Sequence, residues 1–182
     1  EVIIGYENFL QADSIAYWNK NNPSFFKTLQ KLKDQFKVDG LIVQQLWAQS
    51  KDNENIPYFI VHKKDLKFNY NNPTLMYGYG GFEVSMTPSY SSMVGKLWLE
   101  KGGVYVLANI RGGGEFGPRW HQSALKENRQ IAFDDFTSVA NNLFSKKITN
   151  PKKLGIMGGS NGGLLMGVSL TQNPQMWGAV VC

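Results

Sequence analysis

The spacing of apolar and polar positions changes character near residue 41. Before it, "EVIIGYENFL" and "DSIAYWN" are short alternating or β-rich runs separated by polar turn residues, the pattern of an antiparallel meander. The next stretch, "NNPSFFKTLQKLKDQFKVDG", reads as a polar connection with one marginal helical stretch. Two or three short strands cannot bury a core alone, so residues 1–40 are expected to belong to something larger.

From about residue 41 strands alternate with helices. Strands are predicted at 41–47, 57–62, 74–77, 104–109 and 154–157, the first two forming a hairpin around "SKDNENI". In "SSMVGKLWLEKGG", Met93, Val94, Leu97 and Trp98 share one helical face; Ser91 or Ser92 caps its start and Gly102 ends it. In "IAFDDFTSVANNLFSKK", Phe136, Val139, Ala140, Leu143 and Phe144 have the spacing of a buried helical stripe. Lys146 and Lys147 follow in the last turn, where the helix dipole favours cations. A further helix is predicted from Asn161. Such alternation implies an α/β fold, a mostly parallel sheet with helices on both faces.

Composition narrows the function classes. The chain of 182 residues is long enough for one ordinary domain, and 42% hydrophobic with 13% aromatic residues argues against disorder. The net charge of +5 comes from lysine pairs spread along the chain, the pattern of a solvated surface and not of a nucleic-acid stripe. A single cysteine, Cys182, excludes an internal disulfide or a cysteine-built metal site, and favours a reducing compartment such as the cytoplasm. No apolar run approaches the roughly 20 residues of a membrane-spanning helix. No residue set has metal-ligand spacing, so neither cofactor nor metal is expected. No signal peptide is visible in residues 1–20, and the start at Glu1 and the stop just past Val181 read as cut ends.

The chemistry concentrates in "LGIMGGSNGGLLMG", residues 154–167. Gly158, Ser160 and Gly162 fit G-x-S-x-G, with a strand before and a helix after, the context of a nucleophile elbow. The serine must sit on a sharp strained turn so that its hydroxyl projects above the sheet. Residues two before and two after it pass close to neighbouring backbone, where a Cβ would collide. The helix beyond offers free N–H groups and a positive dipole end to a developing oxyanion, the N–H of Asn161 first among them. A second donor would come from the end of a neighbouring strand. "LMYGYGGFEVS" supplies a candidate loop, with Tyr77, Tyr79 and Phe82 among three glycines, and an ordinary turn with aromatics packed beneath it fits that stretch equally well.

A second glycine pattern is a decoy. Gly112, Gly114 and Gly117 form a literal G-x-G-x-x-G, with Asp134 and Asp135 about twenty residues on, where a dinucleotide fold places its ribose-binding acid. Glu115 would set a carboxylate beside the pyrophosphate, and Pro118-Arg119 interrupts the required helix. The two aspartates begin a helical pattern instead of ending a strand; their expected job is to stabilise that helix's N-terminus.

"MYGYGGF", "ANIRGGGEFGPRWH", "FDDF" and "GGSNGG", in this order, resemble the catalytic domain of the prolyl oligopeptidase family, serine peptidases that cut after proline. The resemblance runs over the whole chain and is strongest from about residue 41 to 166. It implies an α/β-hydrolase fold whose N-terminal half spans residues 41–182, preceded in residues 1–40 by the last blade of a β-propeller and the connection from it. It gives Ser160 the nucleophile's role, the Asn161 N–H and the Tyr79 hydroxyl the oxyanion, and Phe82 a flat apolar wall of the S1 pocket. Oligopeptidase B relatives, which cut after Arg or Lys, typically carry "GGSAGG" and a serine-tyrosine variant of the "GGF" loop, so Asn161 and Phe82 favour the proline branch.

A serine nucleophile needs a base, and the triad order Ser, Asp, His puts the partners downstream. No His or Asp follows Ser160, and the only histidines, His62 and His121, precede it and read as surface or packing residues. The expectation is therefore a fragment whose acid and base lie in the missing remainder of its own chain, inactive by itself. In the full-length parent it would act on short proline-containing peptides, with neither nucleic acid nor membrane as partner. Basic-residue or acyl-ester hydrolysis, and a non-catalytic truncated module, are the competing readings.

Overall fold

The strand runs of the first forty residues pair with one another and not with the strands that follow. In the computed structural model, which describes residues 2–182, Val2–Asn8 (β1), Gln11–Asn19 (β2) and Asn22–Lys31 (β3) form a three-stranded antiparallel meander. The helical stretch expected in this connection does not form; β3 takes its place. Cross-strand aromatic pairs account for the difference: Tyr17 meets Phe25 and Tyr6 meets Phe26 edge-on, and the Tyr6 and Thr28 hydroxyls are hydrogen-bonded at 3.0 Å. Every residue of β3 is exposed.

Leu41–Gln49 (β4), Asn55–Lys63 (β5), Thr74–Gly78 (β6), Val104–Ala108 (β7), Leu154–Met157 (β8) and Ala179–Val181 (β9) build a six-stranded sheet in the order β4-β5-β7-β6-β8-β9. The expected hairpin closes the antiparallel end, where β5 also pairs antiparallel with β7; β7, β6, β8 and β9 run parallel. The five predicted strands are all present. β9 was not foreseen, because three residues are too few to show a period.

One face of the sheet is covered by Gln130–Ser145 (α3) and Asn161–Gln172 (α4). The predicted stripe of α3 is buried at Phe136, Val139, Ala140 and Leu143, against Ile60, Met76 and Val106 from the sheet. At full burial each large apolar side chain contributes about 1.5–3 kcal/mol, so this face carries the largest share of the apolar stabilisation. The other face is covered by Ser92–Val94 (α1), which continues as a π-turn over Gly95–Leu99. Ser91 caps its start and Gly102, at φ +85°, ends it, with Gly103 N–H donating to Trp98 O and Gly102 N–H to Leu99 O.

The apolar face expected for this helix is corrected in part: Val94 and Trp98 pack against buried residues beneath it, and the other two positions do not. Met93 and Leu97 are 69% and 58% exposed, whereas Gly95 and Leu99 are buried. The π-turn, closed by Glu100 N–H on Gly95 O, rotates the residues after it away from a 3.6-residue period. Phe36 packs directly against this turn, its ring lying where a side chain on Gly95 would stand. Phe36 and Phe9 join Val61, Leu99 and Leu107 in the second core. Because Phe9 and Phe36 come from the meander and its exit, they fasten the small sheet to the large one.

The role expected for the paired aspartates is also corrected. α3 begins at Gln130, so Asp134 and Asp135 lie beyond its first turn. Asp135 is wholly buried and receives Arg111 Nε at 2.8 Å, Arg111 Nη2 and Ser50 Oγ at 2.6 Å each, and the Arg111 backbone N–H at 3.0 Å. Arg111 also forks onto Asp52 in the β4–β5 turn. Burial opposes the charge on Arg111, and the two carboxylates more than offset it, holding the guanidinium protonated. No helix among the described residues is long and apolar enough to cross a membrane.

Breaking a buried ion pair leaves an uncompensated charge, so Asp135→Ala is expected to cost about 3–5 kcal/mol of stability, read from the denaturant midpoint. The Arg111 hydrogen bonds hold the Asp52 carboxyl below its ordinary pKa of 3.8. Its contribution is therefore complete above that value and is lost as pH falls through the lower folded one. Asp52→Asn should make the acid limb of a stability–pH curve less steep and leave its shape above pH 5 unchanged; an identical acid limb would refute the coupling.

Candidate active site

The site starts from two neighbouring parallel strands that end at the same level. Tyr77 of β6 is in register with Met157 of β8, and each chain then turns through glycines. After β8, Ser160 takes φ 54° and ψ −120°, a left-handed conformation costly for any residue with a Cβ, and α4 begins at the next residue. The glycines make this turn possible. A Cβ on Gly158 would stand 2.5 Å from Gly162 O, and one on Gly162 would stand 2.7 Å from Gly78 O. Ser160 is exposed, and its side chain makes no capping bond to α4.

The first turn of α4 leaves one N–H open. Gly162 donates to Gly159 O at 2.8 Å, Gly163 to Ser160 O at 2.9 Å and Leu164 to Ser160 O at 3.2 Å. Asn161 N–H has no acceptor among the described residues, and it lies at the positive end of a twelve-residue helix. The Asn161 side chain faces the other loop. Its Nδ2 donates to Tyr79 O at 2.6 Å, so closely that any side chain on Gly81 would collide with it.

Tyr79 is half-buried just beyond β6, and its hydroxyl has no hydrogen-bond partner among the described residues. Three residues on, the chain makes two consecutive left-handed residues, Phe82 at φ 53° and Glu83 at φ 57°. Val84 N–H returns to Gly81 O at 3.0 Å, and Phe82 is left 76% exposed. Ser160, Asn161 and Tyr79 are thus brought together, with Phe82 on the rim of the same loop and not enclosed by this chain.

Neither histidine joins them. His62 is buried in β5, with Nδ1 2.7 Å from Lys63 O and Nε2 3.1 Å from Gln44 Oε1. His121 keeps Nδ1 2.7 Å from Gly112 O and 3.1 Å from Glu83 N, supporting the loop behind Phe82. The decoy glycines make a compact turn in which the Glu115 carboxylate accepts from Met86 N–H at 2.9 Å, and the helix after Gly117 (α2, Pro118–Gln122) is only five residues long.

Arg129, at the N-terminal boundary of α3, escaped the sequence reading. It is half-buried and donates through one nitrogen to Gly80 O and through another to Asn161 Oδ1 at 3.2 Å, with the Phe133 ring centroid 5.4 Å from its Cζ. Among the described residues no carboxylate pairs with it, and burial pushes its pKa down. A basic residue before an apolar helical stripe looks like surface; no local pattern marks it as the partner of residues 49 and 32 positions away.

Comparison with known proteins adds independent support for the fold and its family. The model of the prolyl oligopeptidase family matches residues 88–182. An uncharacterized peptidase of Sinorhizobium fredii is 60% identical over 147 residues, 81% of this chain and 20% of that protein. A prolyl endopeptidase of Elizabethkingia miricola is 39% identical over 176 residues, 97% of this chain and 25% of that protein. The structure of a post-proline cleaving enzyme from Rickettsia typhi superposes with a TM-score of 0.91 at 46% identity, covering 99% of this chain and 26% of that one. The chain therefore spans about a quarter or less of the length of the relatives it matches. With the motifs, the mixed sheet and the strained serine turn all in agreement, the chain belongs to the prolyl oligopeptidase family.

Proposed function

We propose that this chain carries the nucleophile and oxyanion hole of a serine peptidase that cleaves short peptides after proline. The observation that supports it best is Ser160 held at φ 54° between two glycine-lined backbones, next to an Asn161 N–H and a Tyr79 hydroxyl that have no hydrogen-bond partner among the described residues. The relatives named as prolyl endopeptidases support the substrate class. In this reading Ser160 Oγ attacks the carbonyl carbon of the residue before the scissile bond and gives its proton to a histidine base. The tetrahedral oxyanion accepts from Asn161 N–H and Tyr79 O–H. Collapse expels the amine with that proton and leaves an acyl-enzyme, which water then hydrolyses. Phe82 supplies an apolar wall for the proline ring once the rest of the pocket stands against it.

The acid and base are assigned to polypeptide outside these residues, which agrees with the engagement of both histidines by other partners. Residues 1–40 are assigned to the last propeller blade, in keeping with their separate antiparallel meander. A cytoplasmic location accompanies the reading, supported by the free Cys182.

In the full-length enzyme, Tyr79→Phe should lower kcat by about 10²–10³ with KM little changed, the usual effect of deleting one oxyanion donor. An unchanged kcat would remove Tyr79 from the oxyanion hole. Chromogenic dipeptides with Pro, Lys or Ala before the scissile bond test the substrate class; Pro should give the highest kcat/KM, and faster cleavage after Lys would replace this reading with a basic-residue one. Ser160→Ala should abolish the burst of acyl-enzyme on any of them.

A further inference from the structure

Two oxyanion donors from different loops are useful only if their separation is fixed. Asn161 and Tyr79 sit on segments 82 residues apart, and three hydrogen bonds join them. The first runs directly, from Asn161 Nδ2 to Tyr79 O. The other two run through Arg129, which donates to Gly80 O and to Asn161 Oδ1. The guanidinium is a planar fork whose donors cannot move independently, so its two acceptors are held at a set spacing.

The consequence for Tyr79 follows from peptide geometry. With the Tyr79 and Gly80 carbonyls both engaged, two consecutive peptide planes are fixed. Fixing the plane that follows Tyr79 fixes its ψ, and with it the direction in which its side chain leaves the backbone. A phenolic hydroxyl stands at the far end of that side chain, where a small rotation at Cα becomes a large displacement. Glycine neighbours make the clamp necessary: Gly80, at φ +59°, and Gly81 impose little conformational limit of their own.

The clamp also has an unusual charge balance. Arg129 is half-buried, its hydrogen-bond acceptors are both neutral, and no carboxylate among the described residues neutralises it. Arg111, one loop away, has two carboxylates. Leaving a partly desolvated cation unpaired is costly unless something else rewards it. The elbow beside it is where negative charge develops during acyl transfer, and an oriented cation there needs no reorganisation as that charge appears.

We propose that Arg129 is the positioning residue of the oxyanion hole, locking the Tyr79 loop to the Asn161 elbow and lending its charge to the transition state without touching substrate. This rests on the function proposed above. The test is made in the full-length enzyme with a post-proline chromogenic substrate, comparing Arg129→Met, Arg129→Lys and, as control, Ser160→Ala. Arg129→Met is expected to lower kcat by about 10–100-fold with KM within about twofold, since small misplacements of catalytic groups cost about that much. Arg129→Lys, which keeps the charge and can reach one acceptor, should recover most of the loss. A peptidyl aldehyde, which forms an oxyanion on Ser160, should bind Arg129→Met more weakly by a similar factor, and the matching peptide amide should bind both equally.

A kcat within twofold of the parent for Arg129→Met, or a loss seen only in KM, would overturn the proposal. So would equal losses for aldehyde and amide. Should Arg129→Met fail to fold, Arg129→Gln, neutral and still able to donate, is read by the same criteria. Failure of the function proposed above looks different: the parent would not cleave after proline, or Ser160→Ala would retain the activity.

Discussion

Two backbones meet between Gly78 and Gly162, and the site exists because only hydrogen atoms separate them. A Cβ on Gly162 would stand 2.7 Å from the Gly78 carbonyl, and one on Gly158 would press on Gly162 itself. The contact is possible because β6 and β8 are parallel neighbours in register, so both chains leave the sheet at one height. Everything chemical about the molecule then follows from what each chain does in its next few residues. One turns through Ser160 into a helix; the other runs through Tyr79, Gly80 and Gly81. Ligand sites at the carboxyl ends of strands in open α/β sheets have this origin generally.

Behind that contact stands α3. Phe136 fills the space beside Gly78 so closely that a Cβ there would lie 2.7 Å from its ring. The residue before it, Asp135, anchors Arg111 on the exit of β7, and at the helix boundary Arg129 anchors the exit of β6. A single helix thus holds the loops that follow two adjacent strands, through one apolar contact and two cations. The cations differ in kind. Arg111 is compensated twice, while Arg129 has no carboxylate partner among the described residues and faces the elbow.

The small sheet has a different dependence. Its three strands expose Phe25, Phe26 and Leu29 along with most of β1, and its attachment relies on Phe9 and Phe36 in the second core, with Glu7 accepting from Tyr90 N–H and Tyr90 accepting from Gln35 N–H. Ser160, Asn161, Tyr79 and Arg129 are all positioned by the larger sheet and the helices on one face of it.

Periodicity along the chain determined most of the elements: five strands, the buried stripe of α3 and the start of α4 are local patterns, legible because each side chain's burial depends on neighbours at i+2 or i+3 and i+4. The glycine, serine and aromatic motifs likewise determined the family and the residues at the elbow, since a strained turn leaves its demand for glycine in the sequence itself. What lay beyond local pattern was settled by contacts between distant segments. Phe36 from the first forty residues packs onto Gly95 of the π-turn, aromatic pairing joins residues 22–31 to the meander, and the burial of Asp135 makes an acid expected at a helix N-terminus half of an ion pair. Arg129 is the plainest case. Its character as a surface arginine is all that a one-dimensional pattern contains, and only the packing of α3 and α4 on the sheet beside the end of β6 gives it two acceptors and, among the described residues, no counter-charge.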